Sequence, residues 1–266
     1  MDNIRALVNN YLTEVENSLS DILTPTNEII TDLNRFINNN SKRVRSLLCF
    51  LYLKANNIPI IDSIIKLTTA SELIHNASLL HDDVIDDAEY RRGEKSFYKK
   101  FNEKTAILSG DYLLSISVNY LMELKNNDIL QLFINTTTGM SNSEIKQYLF
   151  RNKSVSTEDY IDIIKGKTAS LFAAILESAA ILTDSNRDNA KLFGELFGIL
   201  YQMNNDMQPQ SHKNDSLNGI KTAVDILGIE KALILKDNYK QKIREIIQTF
   251  PNNKYKTGLE DLADIL

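Results

Sequence analysis

The chain has one cysteine, no tryptophan, four prolines and nine glycines in 266 residues. The single thiol, Cys49 within "SLLCFLYL", excludes an intramolecular disulfide framework and a thiolate metal cluster, and fits a reducing cytoplasm. The few glycines and prolines are scattered, with no linker-like or low-complexity stretch, so residues 1–266 are expected to form one domain. No repeat at a period of ~20–50 residues suggests a solenoid. A net charge of -5 supplies no basic face for nucleic acid. No apolar run reaches the ~20 residues that cross a bilayer, and "MDNIRALVNN" lacks the apolar core of a signal peptide. A soluble protein without a transmembrane segment is expected.

Hydrophobic residues make up 43% of the chain, enough for a large core. Their period is helical almost throughout. Ile64, Leu67, Ser71, Ile74, Ser78 and Leu79 recur at spacings of three and four, as do Leu192, Leu196, Ile199, Leu200 and Met203. Breaks fall at "TPTN", "NNIPI", "RRGEKS", "KNND", "NKSVST", "TDSNRD", "QPQSHKND" and "FPNNK", which leaves about nine or ten helices and no alternating strand pattern. The fold class expected is all-α, a single large helical bundle.

The densest chemistry stands in "HDDVIDDAEYRRG", residues 81–93: four aspartates, a glutamate and two arginines behind the apolar run Leu73–Leu80. On a helix, Asp82, Asp83 and Asp86 converge on one end of one face. Such carboxylates repel one another unless a hard cation compensates them. Mg²⁺ does so with one or two protein carboxylates, completing its shell with water and phosphate oxygens. Arg91 and Arg92 add forked donors for phosphate oxygens that a metal leaves open. Lys42, Arg43 and Arg45 in "SKRVRS" open an apolar helix, where side-chain charge and the helix dipole together favour an anion. Taken singly, an acidic run or a basic trio is more often a solvated surface. Together with His75 they suggest two anion sites, one bridged by metal and one held by basic side chains.

From about residue 42 to its end the chain resembles the trans-isoprenyl diphosphate synthases of the polyprenyl synthetase family. The family's D-D-x-x-D followed by R-R-G stands as "DDVIDDAEYRRG", its G-K-x-x-R-P as "SKRVRS", and its E-x-I-H-x-x-S-L-I-H-D-D as "ELIHNASLLHDD". "AILSGDYLLS", "SNSEIKQ", "IIKGKTASLF", "FGELFGILYQ" and "DILGIEKA" follow in family order. The resemblance implies an isoprenoid synthase type I fold and condensation of isopentenyl diphosphate with an allylic diphosphate to a longer trans-polyprenyl diphosphate. It assigns Asp82, Asp83 and Asp86 to Mg²⁺, Arg91 and Lys167 to the allylic diphosphate, and Lys42, Arg45, His75 and Arg92 to isopentenyl diphosphate. Thr168 and Gln202 would turn oxygens toward the allylic cation, and His81 would support the ligands from behind or be structural. Ala77 and Ser78, small where short-chain synthases often carry an aromatic floor, imply products longer than farnesyl, with Leu114, Val118 or Met122 as a deeper floor.

The sequence departs from the family in its second aspartate cluster. "YQMNNDMQP" puts Asn205 at the first aspartate and Pro209 at the third, and keeps Asp206 as the remaining metal ligand. The loop that follows is short, with Lys213 or Lys221 as substitutes for the family's lysine. Two alternatives follow: a noncatalytic or regulatory subunit paired with an active homologue, and a terpene-synthase-like enzyme. The second lacks the metal motif of such cyclases. Family members mostly pair through mid-chain helices, and "TAILSGDYLLSISVNYLMELK" is apolar on more than one face, which implies a homodimer or a heterodimer with an active homologue.

Overall fold

The computed structural model describes residues 1–39, 41–209 and 215–266. Its contacts group into two compact units, one of residues 8–50 and 60–130, the other of residues 1–7, 51–59 and 131–266.

The first unit contains α2 (Asn9–Ile22), α3 (Glu28–Asn38), the start of α4 (Val44–Ala55), α5 (Asp62–Ile85), α6 (Phe97–Lys100) and α7 (Glu103–Glu123). Helix α5 is its axis. Fourteen of its residues are buried, from Ile64 to Asp83, and α2 and α7 pack along it. Asn27, Ser96 and Asn102 cap α3, α6 and α7 with side-chain oxygens, in the way short polar residues start helices. Between α5 and α6 a hairpin pairs β1 (Tyr90–Arg91) with β2 (Glu94–Lys95). Its two-residue loop, Arg92 and Gly93, has φ of 53° and 86°. Two left-handed residues in succession match the twist of a tight antiparallel pair. This hairpin is an addition to the strand-free expectation, because two-residue strands leave no periodic trace.

The second unit contains α1 (Asp2–Ala6), most of α8 (Asn127–Leu149), α9 (Thr157–Ile164), a π-helical turn at Lys165–Ala169, α10 (Ser170–Leu182), α11 (Arg187–Asp206), α12 (Ala223–Leu227), α13 (Ile229–Gln248) and α14 (Lys254–Ile265). Helices α10 and α11 pack at backbone distance. A Cβ at Gly198 would lie 2.4 Å from the Ala169 Cα, and one at Gly194 would lie 2.6 Å from the Phe172 carbonyl oxygen. Tyr52, Phe193 and Phe250 close the far end of this unit as an aromatic cluster.

The expected helices are the long ones, with α9 and α10 read as one. The one-turn helices α1, α6 and α12 add to them among the described residues. The expected breaks fall between helices, and "QPQSHKND" lies largely outside the described residues.

Candidate diphosphate and metal site

In the first unit the aspartates stand at the end of α5. Helical hydrogen bonding ends at Ile85, and Asp86 caps it, its N–H donating to the Asp82 carbonyl at 2.8 Å. Asp82 and Asp86 are half-buried, and Asp83 is fully buried. The Arg91 Nε donates to Asp83 Oδ1 at 2.7 Å and its Nη2 donates to the same oxygen. Asp83 Oδ2 is buried without a hydrogen-bond partner. Burial pushes the Asp83 carboxyl above its usual range, while the Arg91 guanidinium pulls it back. An orphaned buried acceptor beside two further carboxylates is a fit for a hard cation. Among the described residues, no three His, Cys, Asp or Glu side chains hold an ion by themselves, so oxygens from a substrate would have to complete the shell.

The basic residues of this unit collect around His75. Burial first, then Arg45, Arg92, Arg91 and Arg43, hold its imidazole well below the usual histidine range, hence neutral near pH 7. Arg45 is buried and Lys42 is exposed. Arg92 donates from Nη1 to the Phe36 carbonyl at 2.9 Å and from Nη2 to Asn76 Oδ1 at 3.3 Å, with its guanidinium 5.7 Å from the Phe36 ring centre. Arg92, Arg91, Arg35, Lys95 and Lys100 line an open groove of about 460 Å³, with Asp32 and Glu94 as its acidic members.

Arg43 corrects the expectation for "SKRVRS". Its φ of 47° turns it inward, and only 2% of it is exposed. Nη1 lies 3.4 Å from Glu72 Oε2, Nη2 donates to Asn38 Oδ1 at 2.8 Å, and Ser46 Oγ donates to Glu72 Oε1 at 2.8 Å. Arg43 therefore anchors the segment that leads from Lys42 into α4, whose first turn carries Arg45. His81 Nε2 sits 3.2 Å from the Ile107 carbonyl, and Gly110 leaves room for the ring.

In the second unit Lys167 and Thr168 stand on the π-helical turn. An extra residue in the turn rotates side chains off the α-helical progression, a feature common at functional sites. Gly166 permits it, since a Cβ there would lie 1.9 Å from Ser143 Oγ. Lys167 Nζ donates to Gln147 Oε1 at 2.8 Å and pairs with Glu144. Thr168 Oγ1 donates to Gln202 Oε1 at 2.9 Å. Gln202 Nε2 donates to Asp206 Oδ1, and the Tyr160 hydroxyl donates to Asp206 Oδ2, both at 2.6 Å. Asp206 is 5% exposed, and burial pushes its carboxyl up to about 7. Pro209 is exposed, Lys221 is exposed, and Lys213 lies outside the described residues.

The sequence reading missed Glu144, Gln147 and Tyr160 as partners of Lys167 and Asp206. Glu144 and Gln147 stood inside the quoted "SNSEIKQ", and Tyr160 had no signal. Val118 and Met122, expected as a floor, are 41% and 59% exposed, because the buried stripe of α7 is Ala106, Gly110, Leu113, Ser117 and Leu121.

The architecture, helical but for one short hairpin among the described residues, is that of the isoprenoid synthase type I fold. The chain belongs to the polyprenyl synthetase family, whose pattern it matches over residues 27–256, a range that runs through both units. It is similar to a "Prenyl transferase" of Porphyra purpurea, with 40% identity over 146 residues, covering 53% of this chain and 45% of that protein. It is also similar to the all-trans-nonaprenyl-diphosphate synthase (geranyl-diphosphate specific) of Rhodobacter capsulatus, with 32% identity over 184 residues, covering 68% of this chain and 57% of that protein. The chain thus spans about half the length of these relatives. In fold it resembles a polyprenyl synthase from Caulobacter crescentus complexed with calcium and isoprenyl diphosphate, with a TM-score of 0.85, 22% identity, and coverage of 99% of this chain and 96% of that one. No described helix is long and apolar enough to cross a membrane.

Proposed function

We propose that residues 1–266 form one prenyltransferase domain that joins isopentenyl diphosphate to an allylic diphosphate, giving a longer trans-polyprenyl diphosphate and free pyrophosphate. The observation that carries this reading is Asp83, a buried carboxylate with one oxygen gripped by Arg91 and the other orphaned, flanked by Asp82 and Asp86. Asp82, Asp83 and Asp86 would hold Mg²⁺. When bound, Mg²⁺ supplies Lewis-acid stabilisation of a departing pyrophosphate.

The chain's own residues do the rest. Arg91 holds the allylic diphosphate and takes up charge as its C–O bond breaks. Lys42, Arg45 and Arg92 hold isopentenyl diphosphate, with neutral His75 offering one N–H donor and adding no charge. Carbon–carbon bond formation consumes the allylic cation, and loss of one proton to the departed pyrophosphate restores a double bond. Thr168, whose hydroxyl proton goes to Gln202 Oε1, offers its oxygen lone pairs to the cation, and Gln202 holds it in that orientation. Ala77 and Ser78, small residues about one turn before Asp82, put no aromatic floor there, which supports products longer than farnesyl. A cytoplasmic location is part of the proposal, supported by the buried lone thiol of Cys49.

The test is to incubate the protein with Mg²⁺, labelled isopentenyl diphosphate and each of dimethylallyl, geranyl and farnesyl diphosphates, then extract the lipids. An elongated prenyl chain is expected. Absence of elongation with every primer overturns the proposal for the chain alone, and recovery on adding an active homologue would make it a subunit.

A further inference from the structure

We infer that Asp206, the surviving carboxylate of the second cluster, is a positioning residue and not a metal ligand: with Tyr160 it fixes the amide of Gln202, and through that amide Thr168. The inference rests on the prenyltransferase reading and deepens it, because it gives the second cluster a role other than metal binding.

The residues of the second cluster do not fit a cation. Asn205 contributes no charge and Pro209 no side-chain ligand. Asp206 is the one carboxylate left, and both its oxygens are engaged inside the unit, Oδ2 by the Tyr160 hydroxyl and Oδ1 by Gln202 Nε2, each at 2.6 Å. Tyr160 is 3% exposed. Drawing Oδ2 onto a metal would strand that phenol as a buried donor without an acceptor, which folding does not tolerate cheaply. Asp83 is the opposite case, since it offers an oxygen that nothing occupies.

The same bonds give Asp206 a different task. An amide can be turned end for end at little steric cost, and only its partners decide which end is which. Asp206 accepts and cannot donate when ionised, so it draws the Gln202 Nε2 toward itself and leaves Oε1 facing Thr168 Oγ1, 2.9 Å away. Tyr160 reaches Asp206 from α9, Thr168 lies on the π-helical turn, and Gln202 and Asp206 are one turn apart on α11. The chain of four side chains therefore locks the turn to α11 by its polar groups, where Gly198 already brings the backbones together.

The test compares wild type with Asp206→Asn, Tyr160→Phe, Gln202→Ala, Asp82→Ala and the double variant Gln202→Ala/Asp206→Asn. Manganese bound per chain is counted by electron paramagnetic resonance in the presence of an unreactive allylic thiolodiphosphate, and steady-state rates are measured against Mg²⁺ and both substrates. Asp206→Asn and Tyr160→Phe should keep the wild-type number of bound Mn²⁺ ions and the half-saturating Mg²⁺ within twofold, while Asp82→Ala loses bound Mn²⁺. Both should lower kcat at least tenfold with KM little changed, and Asp206→Asn should cost nothing further in the Gln202→Ala background. That non-additivity is the signature of action through Gln202. Loss of a bound Mn²⁺ in Asp206→Asn but not in Tyr160→Phe, or independent and multiplying effects of Gln202→Ala and Asp206→Asn, overturns the inference. Should Asp206→Asn fail to fold, Tyr160→Phe carries the test, since loss of a bound Mn²⁺ there or an unchanged kcat overturns it equally. If wild type elongates nothing, the prenyltransferase reading fails, while the Mn²⁺ count still decides whether Asp206 is a ligand.

Discussion

Single side chains set the sharpest expectations. Asp82→Ala should lower the prenylation rate by more than 100-fold with little change in melting temperature, because it removes a carboxylate at a helix end and no packing. Glu72→Ala acts the other way. Glu72 is 1% exposed and is the buried counter-charge of Arg43, and stranding such a charge typically costs about 3–5 kcal/mol. Urea denaturation should show a loss of that size. His75 gives a pH signature. Its folded value lies below its unfolded one, so near and below pH ~6.5 the unfolded chain binds more protons and stability falls as acid is added. The fall in urea midpoint between pH 7 and 5.5 should be smaller in His75→Gln than in wild type. Asp82, Asp83, Asp86, Arg91 and Arg92 were legible in the sequence because their like charges crowd within one short stretch. Arg43 was legible as a cation but not as a buried one, since its partner stands 29 residues away and only packing reveals it.

At the scale of elements, the helices were read from their periods and the breaks from Pro, Asn, Ser and Asp. The two departures from helix that matter are the hairpin loop at Arg92–Gly93 and the π-helical turn at Lys165–Ala169. The first hides in an Arg–Gly pair, and the second in "KGKTA", whose composition suits an ordinary helix apart from Gly166. Tertiary contact, Ser143 against Gly166 and Ala169 against Gly198, selects the turn, and no local pattern records it. Gly198→Ala should therefore push α11 off the turn. Over-packing of this kind typically costs about 1–3 kcal/mol. In thermal denaturation the variant should melt earlier, and its kcat should fall more than its KM rises, because the Gln202–Thr168 bond is stretched while the aspartates are untouched.

At the scale of the molecule, α7 presents apolar side chains that its own unit does not cover. Leu108 is 67% exposed, Tyr112 44% and Met122 59%, and they follow one stripe of the helix. An uncovered apolar stripe on a helix that is otherwise packed is a surface suited to a second copy. A homodimer through this stripe is the expected state, and Leu108→Glu with Met122→Lys should shift the sedimentation coefficient from dimer to monomer. Product length belongs to this scale too. Ala77→Phe should shorten the longest prenyl product seen by chromatography, whereas Leu114→Ala tests the remaining deeper floor by lengthening it.

The five residues from Lys165 to Ala169 hold one more than an α-helical turn would. Deleting Gly166 would let the chain wind without interruption from Thr157 to Leu182 and display Lys167 and Thr168 about 100° away from their stations.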